Sequence, residues 1–231
     1  MLKVLILITF CSVAFIGIAS AQNKSTDTKA KQLPSKITKK ANQRPSAESS
    51  KTRQSEPFEK ASVETMEAQC VKFETEAGEI EIEMFPESAP ESVRSFLNLA
   101  ATGAFDTTTF SRVVRGFIVQ GGDLFTRQKM TPELDKRARR TLPDEPGLVK
   151  HERGIVSMAR SNEPNSATTN FFILVGEAAH LNGTFAAFGR VTRGMEVVDA
   201  INKMPVESEK PIKPVRVTRA TVALCQTPLK P

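Results

Sequence analysis

A small set of polar groups sits among apolar ones in the middle of the chain: Phe110, Arg112, Phe117, Ile118 and Gln120, then Met158, Ala159, Asn170, Phe171, Phe172, His180, Leu181, Phe185 and Phe188. Alternation along an extended chain places Phe110 and Arg112 on one side, so a guanidinium shares a face with aromatic neighbours. Such a site offers a charge-assisted donor next to apolar walls. The bland reading of the same residues is a core, because the chain has 14 Phe and no Trp or Tyr, with Arg112 a surface residue whose stem lies on apolar neighbours. Other chemistries lack their signatures. There is no phosphate-cradling glycine loop and no Gly-x-Ser-x-Gly elbow. With His151 and His180 the only histidines and no Cys-x-x-Cys pair, no metal site is expected.

The elements that must hold these residues read mostly as strands. Glu79-Ile-Glu-Ile-Glu-Met84 alternates strictly, placing Ile80, Ile82 and Met84 on a buried face and three glutamates on a wet one. Ala77-Gly78 marks the turn from a preceding strand over 71–74. Further strands are predicted over 109–114, 117–120, 154–159, 170–175, 185–191 and 215–224. Pro90 opens a helix with Glu91 in its first turn, Val93, Phe96, Leu97 and Ala100 on one stripe, and Gly103 just beyond its end. A second helix is predicted over 195–202. Many short strands with two helices predict a mainly β fold, a barrel whose open ends the helices plug. The segment from Leu124 to Lys150, rich in charge and proline, reads as a surface excursion beside a groove rather than core.

The ends differ from this middle. Residues 1–21 read as a signal peptide: Met-Leu-Lys, an apolar run from Val4 to Ile18 shorter than the ~20 residues of a membrane span, and a cleavable Ala19-Ser-Ala21. No stable membrane anchor is expected after cleavage. Residues 22–66 read as a disordered basic linker, too poor in apolar residues to fold, and they carry much of the net charge of +6. An electrostatic tether to an anionic polymer is one reading of this linker and a solvated spacer the other; basic residues do not interleave with aromatics, so nucleic acid is not an expected partner. Residues 67–228 form the predicted domain, a monomer, with 229–231 a short tail. Cys70 and Cys225 flank the terminal strands, and an exported chain lets them form a disulfide; two separately buried thiols are the alternative.

The stretch Phe110-Ser-Arg-Val-Val-Arg-Gly-Phe-Ile-Val-Gln-Gly-Gly-Asp123 resembles the cyclophilin family's Phe-His-Arg motif ending in Gln-Gly-Gly-Asp. Gly154-Ile-Val-Ser-Met-Ala159, Asn165-Ser-Ala-Thr-Thr-Asn-Phe-Phe-Ile173, His180-Leu-Asn-Gly183 and Phe188-Gly-Arg-Val-x-x-Gly-Met195 follow in the family's order. The resemblance implies a closed eight-stranded antiparallel β-barrel capped by two α-helices, in agreement with the strand count, and peptidyl-prolyl cis-trans isomerase activity on proline-containing segments of unfolded or exported proteins, with no cofactor. It places Arg112 as the catalytic arginine and Phe117, Ile118, Phe171 and Leu181 as proline-pocket walls. Gln120 and Asn170 are implied to hold the substrate backbone, with Phe110, Ala159, His180 and Phe185 completing the groove. Four positions depart from the family: Ser111 for histidine, Asn170 for glutamine, His180 for tryptophan and Phe185 for histidine. Loss of the tryptophan implies weak binding of cyclosporin-type inhibitors. A proline-peptide binding module without turnover is the alternative function. The expected compartment is exported, periplasmic or secreted.

Overall fold

The computed structural model describes residues 56–225; the expected signal peptide, residues 22–55 of the expected linker, and residues 226–231, which include the expected tail, lie outside the described residues. The elements in chain order are α1 Val63–Glu67, β1 Gln69–Thr75, β2 Gly78–Met84, α2 Pro90–Ala101, β3 Arg112–Val114, β4 Ile118–Gly121, α3 Pro132–Ala138, β5 Ile155–Met158, β6 Phe171–Leu174, β7 Ala187–Arg193, α4 Met195–Asn202, β8 Val206–Glu207, β9 Lys210–Pro211 and β10 Val217–Leu224, with 3-10 turns at Leu124–Thr126 and Ala179–Leu181.

Eight strands form one antiparallel sheet in the order β10-β1-β2-β7-β5-β6-β4-β3. The strict alternation of β2 is realised as expected, with Ile80 and Ile82 fully buried. The sheet is open, a half-barrel rather than the closed barrel expected. Between its two end strands there is only an isolated bridge, Thr109 to Arg216, flanked by Phe110 N–H to Val215 O at 3.0 Å and Val217 N–H to Thr108 O at 2.8 Å. Closure fails because β3 turns its free edge elsewhere: Val113 N–H donates to Glu209 O in the β8–β9 turn at 2.8 Å.

The interior is a phenylalanine cluster. Phe96 of α2 lies 5.9 Å from Phe73, 5.2 Å from Phe105 and Phe171, and 4.8 Å from Phe188, ring centre to ring centre. Helix α2 has Pro90 at its first position and no cap from its own N-cap residue, Ala89. Glu145 replaces that cap from far along the chain: its carboxylate accepts from the backbone N–H groups of Glu91 and Ser92, each at 2.8 Å, where the helix dipole favours an anion. The segment 124–150 is therefore not a mere excursion. Leu124, Ala138 and Leu142 are buried in the core, which short apolar residues scattered among charges conceal from a periodicity reading.

The folded domain also starts earlier than residue 67. Met66 is fully buried, Arg94 donates to the carbonyls of Phe58 and Ala61, and the Glu56 carboxylate pairs with Arg137 and Arg140 at 2.9 and 3.1 Å. Arg94 reaches backbone carbonyls, which carry no sequence signal.

Candidate active site

One row of side chains across neighbouring strands defines the site. In the β3–β4 ladder Arg112 stands opposite Gln120, and in the β4–β6 ladder Gln120 stands opposite Phe172. Directly opposed residues project to the same face of a sheet, so the guanidinium, the amide and the ring line up. The β3–β4 turn brings Phe117 over this face; Gly116 within it has φ +73°, a conformation that glycine adopts without steric cost. Asn202 of α4 holds the turn, accepting from Gly116 N–H at 2.8 Å and donating to Val114 O and Ile118 O at 3.0 and 3.1 Å.

A cavity of about 140 Å³ opens on this face, lined by Arg112, Phe117, Ile118, Gln120, Ala159, Arg160, Phe172, Leu181 and Phe185. Its floor is apolar: Ile118, Phe172 and Leu181 are buried, and Phe185 meets Phe172 edge to face at 5.9 Å. Its rim is cationic. Arg112 donates from Nη1 to Gln120 Oε1 at 3.3 Å and from Nε to Glu209 Oε2 at 2.7 Å. Across the cavity Arg160 stacks 5.0 Å from the Phe185 ring centre and donates to the carbonyls of Ser161 and Thr184. The arrangement accepts a compact apolar ring and aims charged donors at its edge.

Of the residues expected at this site, Arg112, Phe117, Ile118, Gln120, Ala159, Leu181 and Phe185 converge on the cavity. His180 stands beside it, its ring 5.6 Å from that of Phe117. Asn170 is half-buried and offers its carbonyl to Ala159 N–H at 2.9 Å; it does not line the cavity. Phe171 and Phe110 belong to the interior instead. Phe171 pairs across from Gly121 and packs on Phe73, Phe96 and Phe105, so the wall expected of Phe171 is supplied by Phe172, one residue on and on the opposite face. Phe110 and Ser111 precede the regular part of β3, which breaks the alternation expected to align Phe110 with Arg112; Phe110 packs against Gly121, where an added Cβ would come within 3.0 Å of its ring. Phe172, Arg160, Glu209 and Asn202 were not assigned from the sequence. Two adjacent phenylalanines carry no parity to separate them, Arg160 lies just past the motif that ends at Ala159, and Asn202 and Glu209 reach the site from distant segments.

His151 ties the far wall together. Its backbone N–H donates to Asn182 Oδ1 at 2.8 Å, its Nδ1 lies 3.2 Å from the same oxygen, and its Nε2 lies 2.9 Å from Ser157 Oγ. Asn182 follows the turn that carries Leu181, and Ser157 stands opposite Phe172 in the β5–β6 ladder. Burial, aided by the nearby His180, pushes the His151 imidazole below its ordinary pKa, against the opposing effect of its hydrogen bond to Asn182 Oδ1.

The family model described as cyclophilin type peptidyl-prolyl cis-trans isomerase/CLD matches residues 70–222. The chain is 37% identical over 141 residues to peptidyl-prolyl cis-trans isomerase CYP23 of Arabidopsis thaliana, covering 60% of this chain and 62% of that protein. It is 36% identical over 154 residues to CYP18-1 of the same organism, covering 66% of this chain and 94% of the relative. In structure it is similar to a cyclophilin type peptidyl-prolyl cis-trans isomerase of Cryptosporidium parvum determined in the presence of the dipeptide Ala-Pro, with a TM-score of 0.59 and 29% identity over 67% of this chain and 98% of the other. The chain belongs to the cyclophilin-type peptidyl-prolyl cis-trans isomerase family.

Proposed function

We propose that this chain accelerates rotation about Xaa-Pro peptide bonds in exported proteins, with Arg112 donating a hydrogen bond to the prolyl nitrogen in the twisted transition state. The observation that carries this reading is the cross-strand row of Arg112, Gln120 and Phe172 at the mouth of an apolar cavity. The barrier to peptide rotation is about 20 kcal/mol because the C–N bond has partial double-bond character, and proline makes the cis isomer common enough for its exchange to matter. As the bond twists, the nitrogen loses conjugation and gains a lone pair. A donor aimed at that lone pair binds the twisted state more tightly than either planar isomer, which is the requirement for rate acceleration. Phe117, Phe172 and Phe185 hold the ring, and Gln120 holds the flanking backbone. The similar structure determined with Ala-Pro supports a proline-containing ligand.

The exported setting rests on the apolar run over 4–18 with Ala19-Ser-Ala21 and on the disulfide between Cys70 and Cys225, a bond that persists in oxidising compartments. The mechanism is tested with Arg112→Ala in the full chain. Loss of a preorganised transition-state donor is worth about 100-fold in turnover, so the variant is expected to bind a Xaa-Pro peptide with nearly unchanged affinity and turn it over about 100-fold more slowly. Equal turnover in variant and wild type would remove Arg112 from the mechanism.

A further inference from the structure

The turn between β8 and β9 delivers a carboxylate to the proposed donor. Its two central residues, Ser208 and Glu209, have φ of +48° and +67°, the left-handed pair that two-residue hairpins favour and that Asn and Gly ordinarily supply. Glutamate adopts this conformation rarely, and such a backbone persists where its surroundings hold it. Besides the β8–β9 pairing that closes the turn, a strand-edge bond holds it: Val113 N–H, adjacent to Arg112 on β3, donates to Glu209 O at 2.8 Å. That bond fastens the strained turn to the strand bearing Arg112 and sets the Glu209 carboxylate 2.7 Å from Arg112 Nε.

The guanidinium is thereby gripped from two sides, by Glu209 at Nε and by Gln120 at Nη1. An arginine has five N–H donors in a planar fork, so fixing two of them fixes the plane and leaves the others for substrate. Both partners of the ion pair are about half exposed, 44% for Arg112 and 50% for Glu209. Solvent screens the attraction between such exposed charges, which makes the consequence of the contact geometric. A long side chain that would otherwise sample several rotamers is held in one before the peptide arrives, as preorganised catalysis requires.

We propose that Glu209 is a positioning residue of the isomerase site, acting through the orientation of Arg112; this rests on the assignment of Arg112 as the donor. Two variants in the full chain separate this role from a structural one. Glu209→Gly keeps and eases the left-handed turn while removing the carboxylate. Glu209→Gln keeps an acceptor for Nε. Glu209→Gly is expected to be at least as resistant to urea as wild type yet to lower kcat about fivefold to tenfold, the scale of one ordinary hydrogen bond, with KM changed less than about twofold. Glu209→Gln is expected to recover most of the lost kcat. In an Arg112→Ala background Glu209→Gly is expected to add nothing, as for residues that act through one another. A Glu209→Gly enzyme as fast as wild type, a loss confined to KM, or an equal further loss in the Arg112→Ala background would overturn the proposal. If Arg112→Ala itself matched wild type, the donor assignment would fall first; a slow Arg112→Ala with a fast Glu209→Gly would sink the positioning role alone.

Discussion

His151 is only 2% exposed and has a partner at each ring nitrogen, Asn182 Oδ1 and Ser157 Oγ. A neutral ring with its hydrogen on Nδ1 satisfies both, donating to Asn182 and accepting from Ser157. Because burial lowers its folded-state pKa, the unfolded chain takes up a proton first as pH falls through about 6.5. The stability gained by burying a neutral imidazole is therefore complete above pH 6.5 and is lost progressively below it, until the folded value is reached. Thermal midpoints are expected to fall between pH 7 and 5.5 in wild type and to fall less in His151→Gln. A slope that survived unchanged in His151→Gln would contradict this. At the same scale, Arg112, Phe117, Gln120 and Leu181 were legible in the sequence because each lies inside a motif. Phe172 was not, since Phe171 and Phe172 are chemically identical and only the pairing of Gln120 with Phe172 decides which faces the cavity. Truncating Phe172 to Ala is expected to cost about 3–5 kcal/mol of stability and to weaken peptide binding.

Helix α4 shows how elements carry the site. Its span of 195–202 was readable from Met195, Val198 and Ile201 on one face, and the apolar spacing that reveals it also buries it: Val198 and Ile201 are 0% and 1% exposed. The role of its last residue was not readable. Asn202 bonds the β3–β4 turn through Gly116, Val114 and Ile118, contacts 84 to 88 positions apart in the chain, whereas local reasoning extends only a few residues. Asn202→Ala would remove the acceptor of the Gly116 N–H and the donor to the Val114 and Ile118 carbonyls, the last of these in a buried bond. The expected destabilisation is about 2–3 kcal/mol, read from the urea midpoint, together with a raised KM as Phe117 loses its support. A change below about 0.5 kcal/mol would mean that the turn holds itself. Strand β3 failed the alternation reading because only 112–114 are regular, and Phe110 turns inward ahead of them.

Across the whole molecule, the eight antiparallel strands were legible from period-two patterning and turn residues, but closure was not, because it depends on what meets the edge of β3. That edge is occupied by the Glu209 turn. Cys70 in β1 and Cys225 just beyond β10 are joined by a disulfide with Cα atoms 4.8 Å apart and 155 positions between them; Cys225 N–H also donates to Ala68 O at 3.0 Å. Loop-closure entropy for so long a loop is worth about 5 kcal/mol. Reduction is expected to lower the urea midpoint substantially while leaving turnover of the still-folded protein intact, since the bond lies on strands remote in order from β3 and β4. Unchanged unfolding on reduction would show that the sheet needs no staple. The central claim is that this cavity turns the Xaa-Pro bond rather than merely holding it. Exchange NMR on a Xaa-Pro peptide with a catalytic amount of the full chain measures that directly. The account predicts faster cis-to-trans and trans-to-cis interconversion with an unchanged equilibrium ratio; a peptide that binds in the cavity yet exchanges at its buffer rate would contradict it.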